Sequence, residues 1–350
     1  MGKKVRELGI QIGMLPTGMK NCITDVVGVK VGHVTLDYKL EKDDYACTGV
    51  TAILPHGGNL FEQKVTAASY VINGFGKSSG LIQVNELGVI ESPIMLTNTF
   101  SVPQVTQGTL QYMLDLNQDI GIKTGTINIV VGECNDSHLN SIREFSVTPE
   151  HAIEAIKNSS EDIVEEGAVG AGKGMICFGY KGGIGSSSRV VKDEDTDVSY
   201  TIGCLVLTNF GKSTEFLSKN YSVSSTQIES TASPTDGSIM IVLATDAPLS
   251  SRQLGRVIKR CGIGLGRTGS YFAHGSGDIV IGFTTAHTIP HSKNEVFESR
   301  TQLREEHSMM NILFAAAAEC TEEAILNSLC QAETTIGRSG NIVHAYKFSE

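Results

Sequence analysis

Short runs of apolar and β-branched residues alternate along this chain with longer stretches in which apolar residues recur at helical spacing. The short runs predict strands over residues 21–35, 49–55, 86–99, 127–133, 200–207, 239–244 and 279–284. The longer stretches predict helices over residues 62–72, 103–116, 149–166, 250–261 and 303–332. Because strands and helices alternate, we predict the α/β class, a layered sandwich with helices on both sides of central sheets.

One of the predicted strands begins with a serine, Ser238, that directly follows the turn-forming pair Asp236-Gly237. Residues 219–237 are polar and rich in Ser and Thr, which predicts a mobile surface loop. A break between Gly237 and Ser238 would give Ser238 a free α-amine. Such an amine titrates near pH 8 and can serve as the general base for its own hydroxyl. The alternative is a Gly-Ser turn that only introduces a core strand.

Polar residues also follow the predicted strand over residues 127–133, where Glu133, Asn135 and Asp136 stand close together. A carboxylate at the end of a core strand costs free energy unless it is paired or used. Two interpretations remain open for this group. Glu133 either leaves the strand into solvent or recognises a cationic group, such as the amine of a substrate.

Two other strand ends carry candidate catalytic residues. Asn209 follows the strand over residues 200–207, and its side-chain amide could either donate to an oxyanion or cap a turn. Ser276 and Asp278 flank Gly277 just before the strand over residues 279–284. Because one glycine separates them, both side chains can point into a common site.

Composition and charge argue against several classes of partner, location and cofactor. The net charge of −10 argues against a nucleic-acid partner. No segment is apolar and long enough to predict a membrane span, and no secretory signal is predicted. The eight cysteines form no Cys-x-x-Cys pair, so we expect reduced core residues and a cytoplasmic location. The glycine-rich segment 167–189 lacks the spacing of a nucleotide loop, and neither a metal nor another cofactor is expected.

Considered together, these segments resemble the family of L-aminopeptidase/D-amidase/esterases and β-peptidyl aminopeptidases, which are serine peptidases that cleave their own chain. The resemblance extends over nearly the whole sequence and has its segments in the family's order. It is carried by residues 21–35, 49–58, 86–99, 130–140, 167–189, 205–211, 236–249, 275–285 and 319–337.

The resemblance implies a four-layer αββα sandwich, in which residues 1–350 form a single domain. It also implies self-cleavage between Gly237 and Ser238, giving a larger chain of residues 1–237 and a smaller chain of residues 238–350. Four catalytic positions and the substrate-binding position of Glu133 are carried over from the family, and Asn135, in a segment where members differ, is a second substrate-binding candidate. Ser238 would be the nucleophile, Asn209 the oxyanion donor, Ser276 and Asp278 the helpers of Ser238, and Glu133 and Asn135 the substrate-binding residues. Asp278 stands where some members have Glu.

The implied activity is hydrolysis of amide or ester bonds in substrates with a free N-terminal amine, through an acyl-enzyme on Ser238. The expected partners are small peptides or amino-acid amides and esters, without nucleic acid or membrane, and a homo-oligomer such as a tetramer of cleaved heterodimers. Two alternatives stay open. One is an acyltransferase related to ornithine acetyltransferases, although those usually carry a Thr nucleophile, and the other is a non-catalytic relative.

Overall fold

Two β-sheets pack face to face, and helices cover the outer face of each sheet. The computed structural model describes residues 2–193, 196–221, 237–292 and 295–348. The strands are β1 (Lys30–Lys39), β2 (Tyr45–Leu54), β3 (Gln63–Gly74), β4 (Val89–Ile90), β5 (Ile94–Asn98), β6 (Val130–Cys134), β7 (Ile176–Cys177), β8 (Tyr180–Lys181), β9 (Gly183–Lys192), β10 (Ser199–Asn209), β11 (Ser238–Thr245), β12 (Gly277–Pro290), β13 (Thr335–Ile336) and β14 (Ile342–Val343). The helices are α1 (Leu81–Leu87), α2 (Val102–Leu116), α3 (Pro149–Lys157), α4 (Ser251–Ile258), α5 (Cys261–Arg267) and α6 (Met309–Cys330).

Two sheets and the helices that cover them form the predicted αββα layers. The first sheet has the order β1-β2-β5-β6, and the second has the order β4-β3-β12-β11-β10-β9. Apolar side chains from both sheets, such as Leu96 and Val242, fill the space between them. On the outer faces, α2 and α3 pack on the first sheet, and α4, α5 and α6 pack on the second. The α/β sandwich expected from the sequence is therefore confirmed.

The predicted helix over residues 62–72 is wrong, because this segment forms β3. It pairs with β12 along nearly its whole length. Val65 and Ala67 face the core between the sheets, whereas Ala68 faces the helices. Over residues 65–68 β3 is buried on both faces. Such a stretch does not alternate between apolar and polar residues, so its apolar spacing resembled that of a helix.

Other boundaries differ in smaller ways. The helix over residues 103–116 is confirmed as α2, and the last helix begins at Met309 rather than at residue 303. The helix predicted over residues 149–166 ends at Lys157. The one predicted over residues 250–261 ends at Ile258 as α4, and a further helix that was not predicted, α5, begins at Cys261. Ser250 caps α4, since its hydroxyl accepts a hydrogen bond from the Gln253 N–H at 3.3 Å.

The eight cysteines are free thiols, as the sequence predicted. Seven are buried, and Cys330 is half-buried. Burial raises the pKa of Cys177 and that of Cys320 to about 12, so these thiols stay protonated at neutral pH. Within the described ranges, no helix combines the length and the apolar character that a membrane span needs.

Candidate active site

Ser238 is the first residue of β11 and lies where three strands of the second sheet meet. It stands opposite Asn209 of β10 and opposite Gly277 of β12. Its hydroxyl donates a hydrogen bond to the carbonyl oxygen of Gly237 at 2.7 Å. Asp236 and most of the loop predicted over residues 219–237 lie outside the described residues. The serine predicted as nucleophile is therefore buried at a strand start, in contact with the carbonyl group that precedes it.

The N–H of Gly277 faces both atoms of this pair. It lies 3.2 Å from the Ser238 Oγ and 3.1 Å from the Gly237 carbonyl oxygen. A Cβ at Gly277 would come within 2.6 Å of the Phe75 carbonyl oxygen and within 3.1 Å of the Ser238 Oγ, so only glycine fits. From the sequence, Gly277 was only the residue that separates Ser276 from Asp278. This donor is not visible in the sequence, because only the parallel pairing of β11 and β12 brings the Gly277 N–H to Ser238.

Asn209 is buried beside Ser238, and its amide is held at both ends. Its Oδ1 accepts a hydrogen bond from the Ile176 N–H at 3.0 Å, and its Nδ2 donates to the Asn135 carbonyl oxygen at 2.9 Å. The reversed orientation would set donor against donor and acceptor against acceptor, so the amide has one orientation. Since Nδ2 carries two hydrogens, one remains for another acceptor.

Ser276 and Asp278 are brought together, as their spacing predicted. The Ser276 hydroxyl donates to Asp278 Oδ1 at 2.6 Å. Asp278 is fully buried, and burial raises the pKa of its carboxyl to about 6, although the Ser276 hydrogen bond opposes the shift. Its Oδ2 is buried without a hydrogen-bond partner among the described residues. Asp278 of β12 also pairs in register with Ile239 of β11. It therefore lies beside the residue that directly follows Ser238.

Glu133 reaches the same region from the first sheet. It is buried at the end of β6, where its Oε1 accepts the Lys77 N–H at 2.8 Å and its Oε2 accepts the Thr99 hydroxyl. No lysine, arginine or histidine of the described residues forms an ion pair with it. A Cβ added to Gly76 would lie 3.4 Å from Glu133 Oε1, and Gly74 pairs with Gly277. The short segment after β3 therefore links this carboxylate to the start of β12.

Asn135 contributes through its backbone. Its side chain is exposed, and its Oδ1 accepts the Ser137 N–H at 3.0 Å, which closes a local turn. Its carbonyl oxygen holds Asn209. The substrate contact predicted for the Asn135 side chain stays a prediction, while its carbonyl orients the neighbouring amide.

A cavity of about 520 Å³ opens beside Gly237 and Ser276. Phe75, Phe210 and Tyr271 form part of its wall. The Tyr271 hydroxyl donates to Glu215 Oε1 at 2.8 Å, which ties two sides of the cavity together. This space can accommodate a small group next to the Gly237 carbonyl.

The chain is similar to known peptidases over almost its full length. The sequence profile of peptidase family S58 matches residues 21–343. The beta-peptidyl aminopeptidases BapA of Sphingosinicella microcystinivorans and Sphingosinicella xenopeptidilytica are 37% and 34% identical to it, over 100% and 98% of this chain and 91% and 88% of those proteins.

Solved structures of similar proteins share the fold of this chain. The PH0078 protein of Pyrococcus horikoshii OT3 superimposes with a TM-score of 0.90 at 48% identity, covering 98% of this chain and 96% of that one. The L-aminopeptidase D-Ala-esterase/amidase of Ochrobactrum anthropi, described as a variant of the Ntn hydrolase fold, superimposes with a TM-score of 0.89 at 32% identity. That match covers 98% of this chain and 95% of the other.

Proposed function

This chain belongs to peptidase family S58, and we propose that it is a self-processing serine aminopeptidase with Ser238 as its nucleophile. Its similarity to β-peptidyl aminopeptidases supports the same assignment. The observation that carries this proposal is the contact between the Ser238 hydroxyl and the Gly237 carbonyl, with the Gly277 N–H directed at both. A hydroxyl in contact with its own preceding carbonyl has the proximity that an intramolecular attack needs.

In the proposed self-cleavage, the Ser238 Oγ attacks the Gly237 carbonyl carbon and the hydroxyl proton passes to the departing amide nitrogen. The C–N bond breaks, and an ester joins Gly237 to the Ser238 side chain. Water then hydrolyses this ester, which leaves a carboxylate on Gly237 and a free amine and hydroxyl on Ser238. The Gly277 N–H would stabilise the oxyanion on Gly237, a contribution of about 3 kcal/mol for one well-placed donor.

Hydrolysis of a substrate would use the same hydroxyl. The new α-amine of Ser238 takes the proton as Oγ attacks the substrate carbonyl, because an α-amine titrates near pH 8 and is partly neutral at physiological pH. Asn209 donates the remaining Nδ2 hydrogen to the oxyanion. The amine or alcohol then leaves with a proton, and water releases the acyl group from Ser238.

Ser276 and Asp278 support this step in the proposal. The Asp278 carboxylate accepts the Ser276 hydroxyl and so fixes the oxygen of Ser276 as an acceptor toward Ser238. A charged acceptor strengthens such a hydrogen bond. The pair would therefore orient the α-amine and hydroxyl of Ser238 for proton transfer.

Glu133 defines the substrate class. A buried carboxylate without a cationic partner is costly, and a substrate ammonium group would supply that partner. We therefore propose amino-acid amides, esters and small peptides with a free N-terminal amine as substrates. The cavity beside Gly237 would receive the leaving group.

Matched pairs of substrates test this function. Amino-acid p-nitroanilides and amides with a free amine should be hydrolysed, while their N-acetylated forms should be hydrolysed far more slowly, and Ser238→Ala should hydrolyse neither. Equal rates on free and acetylated substrates would remove Glu133 from amine recognition. Transfer of the acyl group to an added amine in preference to water would favour the acyltransferase alternative, and an inert protein would favour the non-catalytic one.

A further inference from the structure

Lys181 is a fully buried lysine that the proposed chemistry does not use. It lies in β8, and its ammonium group donates to the carbonyl oxygens of Gly172 at 2.9 Å, Met175 at 2.8 Å and Gly182 at 2.7 Å. These three bonds use all the hydrogens of the ammonium group. No acidic side chain of the described residues forms an ion pair with it. A buried charge without a counterion is costly, so its position requires a reason.

One of the three carbonyls connects Lys181 to the active site. The Met175 carbonyl and the Ile176 N–H belong to the same planar peptide group. That N–H donates to Asn209 Oδ1 at 3.0 Å, and Asn209 Nδ2 donates to the Asn135 carbonyl oxygen at 2.9 Å. A continuous series of hydrogen bonds thus runs from a positive charge, through one peptide and one side-chain amide, to the nitrogen proposed as oxyanion donor.

The local fold keeps this series in place. The β7–β8 hairpin sets Ile176 opposite Lys181, and the Gly182 N–H donates to the Met175 carbonyl at 3.2 Å. In a series of hydrogen bonds inside a protein, each bond polarises the next. A charge at one end therefore strengthens the donor at the other end as well as fixing its orientation.

We propose that Lys181 is a positioning residue for the oxyanion donor: its ammonium group fixes and polarises the Met175–Ile176 peptide, which in turn holds the Asn209 amide with Nδ2 directed at the reacting carbonyl. This inference rests on the proposed role of Asn209 as the donor. Lys181 itself touches neither Ser238 nor the substrate carbonyl in this scheme.

The groups around Lys181 leave it as the source of positive charge for this peptide. Burial raises the pKa of Cys47 and that of Cys177 to about 12, so both thiols are neutral. Burial also raises the pKa of Asp136 to about 7 and lowers that of Lys181 to about 7. Lys181 is therefore about half protonated at pH 7, and the three carbonyl oxygens that accept from its Nζ favour the ammonium form. The ammonium of Lys173, in the same glycine-rich segment, is instead paired with Asp37 at 2.7 Å.

A double-mutant cycle tests the proposal. Lys181→Met removes the charge and the donors, Lys181→Gln keeps two N–H donors without the charge, and Lys173→Met is the control that removes a charge from the same segment. Each is combined with Asn209→Ala, and kcat, KM and Tm are measured, with rates normalised to the cleaved fraction of each preparation.

Loss of one oxyanion donor lowers kcat by about 10²–10³-fold, so loss of its positioning residue should lower kcat by about tenfold. We expect this decrease for both Lys181 variants at unchanged KM, and no further decrease when Asn209 is already Ala, since the effect passes through that side chain. Lys173→Met should keep the wild-type kcat. Should Lys181→Met fail to fold, Lys181→Gln carries the same test.

The possible outcomes separate the two proposals. Wild-type kcat in Lys181→Gln, or equal losses with and without Asn209, would overturn the role of Lys181. Wild-type kcat in Asn209→Ala alone would instead overturn the oxyanion role of Asn209, on which the inference rests. A fall in Tm without a fall in kcat would make Lys181 a structural lysine only.

Discussion

Asp278 is a buried carboxyl for which the proposed mechanism predicts linked effects of pH on activity and on stability. Its carboxyl has a pKa raised to about 6 by burial, and it accepts the Ser276 hydroxyl. The ionised form is therefore unfavourable in the folded protein, yet it is the form that the proposed mechanism needs. If Asp278 only caps a turn, its substitution should lower stability. If its carboxylate acts in the reaction, its substitution should lower activity instead.

Asp278→Asn should lower kcat by about two orders of magnitude, the usual scale of an acid–base contribution. In the wild type, kcat should rise with pH through about pH 6, as Asp278 ionises, and the variant should lack this rise. Since the folded pKa lies above the unfolded value of about 3.9, ionisation reduces stability as pH rises from about 4 to 6. The Tm of the variant at pH 8 should therefore equal or exceed that of the wild type.

Both quantities are measured on the same pre-cleaved preparation. If Asp278 only caps the turn before β12, the variant should instead lose about 1 kcal/mol of stability, as for a lost cap, and keep its turnover. A destabilised but fully active Asp278→Asn would remove this residue from the site.

Asp136 provides a second test of charge at the residue scale. It is buried, its Oδ1 accepts the Asn140 amide at 3.0 Å, and its Oδ2 has no partner among the described residues. Burial raises its pKa to about 7. The folded protein thus retains a proton that the unfolded chain releases near pH 4, so this group's contribution to stability falls as pH rises from about 4 to 7.

Asp136→Asn should remove this slope. Relative to the variant, the wild type should lose at most about 1.4 kcal/mol of unfolding free energy per pH unit in that window. Urea denaturation at several pH values measures the difference. Asp115→Asn, an exposed carboxylate in α2, is the matched control and should follow the wild-type curve. Parallel curves for wild type and Asp136→Asn would contradict the raised pKa.

At the scale of elements, the parallel start of β11 and β12 brings the proposed nucleophile to its proposed hydrogen-bond donor. Ser238 and Gly277 stand opposite each other, and the backbone N–H of one reaches the hydroxyl of the other. Asn209, the last residue of β10, completes the group from the other side of Ser238. The proposed catalytic residues are thus held by the hydrogen-bonded pairing of the strands rather than by long side chains.

Gly277→Ala should abolish self-cleavage while the chain still folds. The added Cβ would lie 2.6 Å from the Phe75 carbonyl oxygen, so β12 must shift and draw the Gly277 N–H away from Gly237. Gel electrophoresis of fresh and aged protein measures the cleaved fraction. Gly255→Ala in α4 is the control, because its Cβ meets only the Ala68 Cβ, at 3.9 Å, and it should cleave normally. Normal cleavage of Gly277→Ala would exclude this N–H as an oxyanion donor.

The elements also show what the sequence could and could not predict. Helix α2 and strands β6, β10 and β11 were predictable because local apolar periodicity specified them. Strand β3 was mistaken for a helix because both of its faces are buried over residues 65–68, a condition set by the rest of the fold. The Gly277 donor and the link from Lys181 to Asn209 depend on contacts between segments far apart in sequence, which no local pattern contains.

At the scale of the whole molecule, two sheets bring separate parts of the chain to one site. Glu133 comes from the first sheet, and Ser238, Asn209 and Asp278 come from the second. The sequence suggested these residues one by one as polar groups at strand ends, and the family resemblance suggested their roles. Their common location became visible only once the face-to-face packing of the sheets was known.

Denaturing mass spectrometry of the purified protein tests the central claim most directly, because the proposed hydrolysis of substrates requires a free amine on Ser238. Cleavage between Gly237 and Ser238 should give chains of 237 and 113 residues out of 350, and the smaller chain should begin with Ser238. Ser238→Ala should remain one chain. A wild-type protein that hydrolyses amino-acid amides while staying full-length after prolonged incubation would contradict the account.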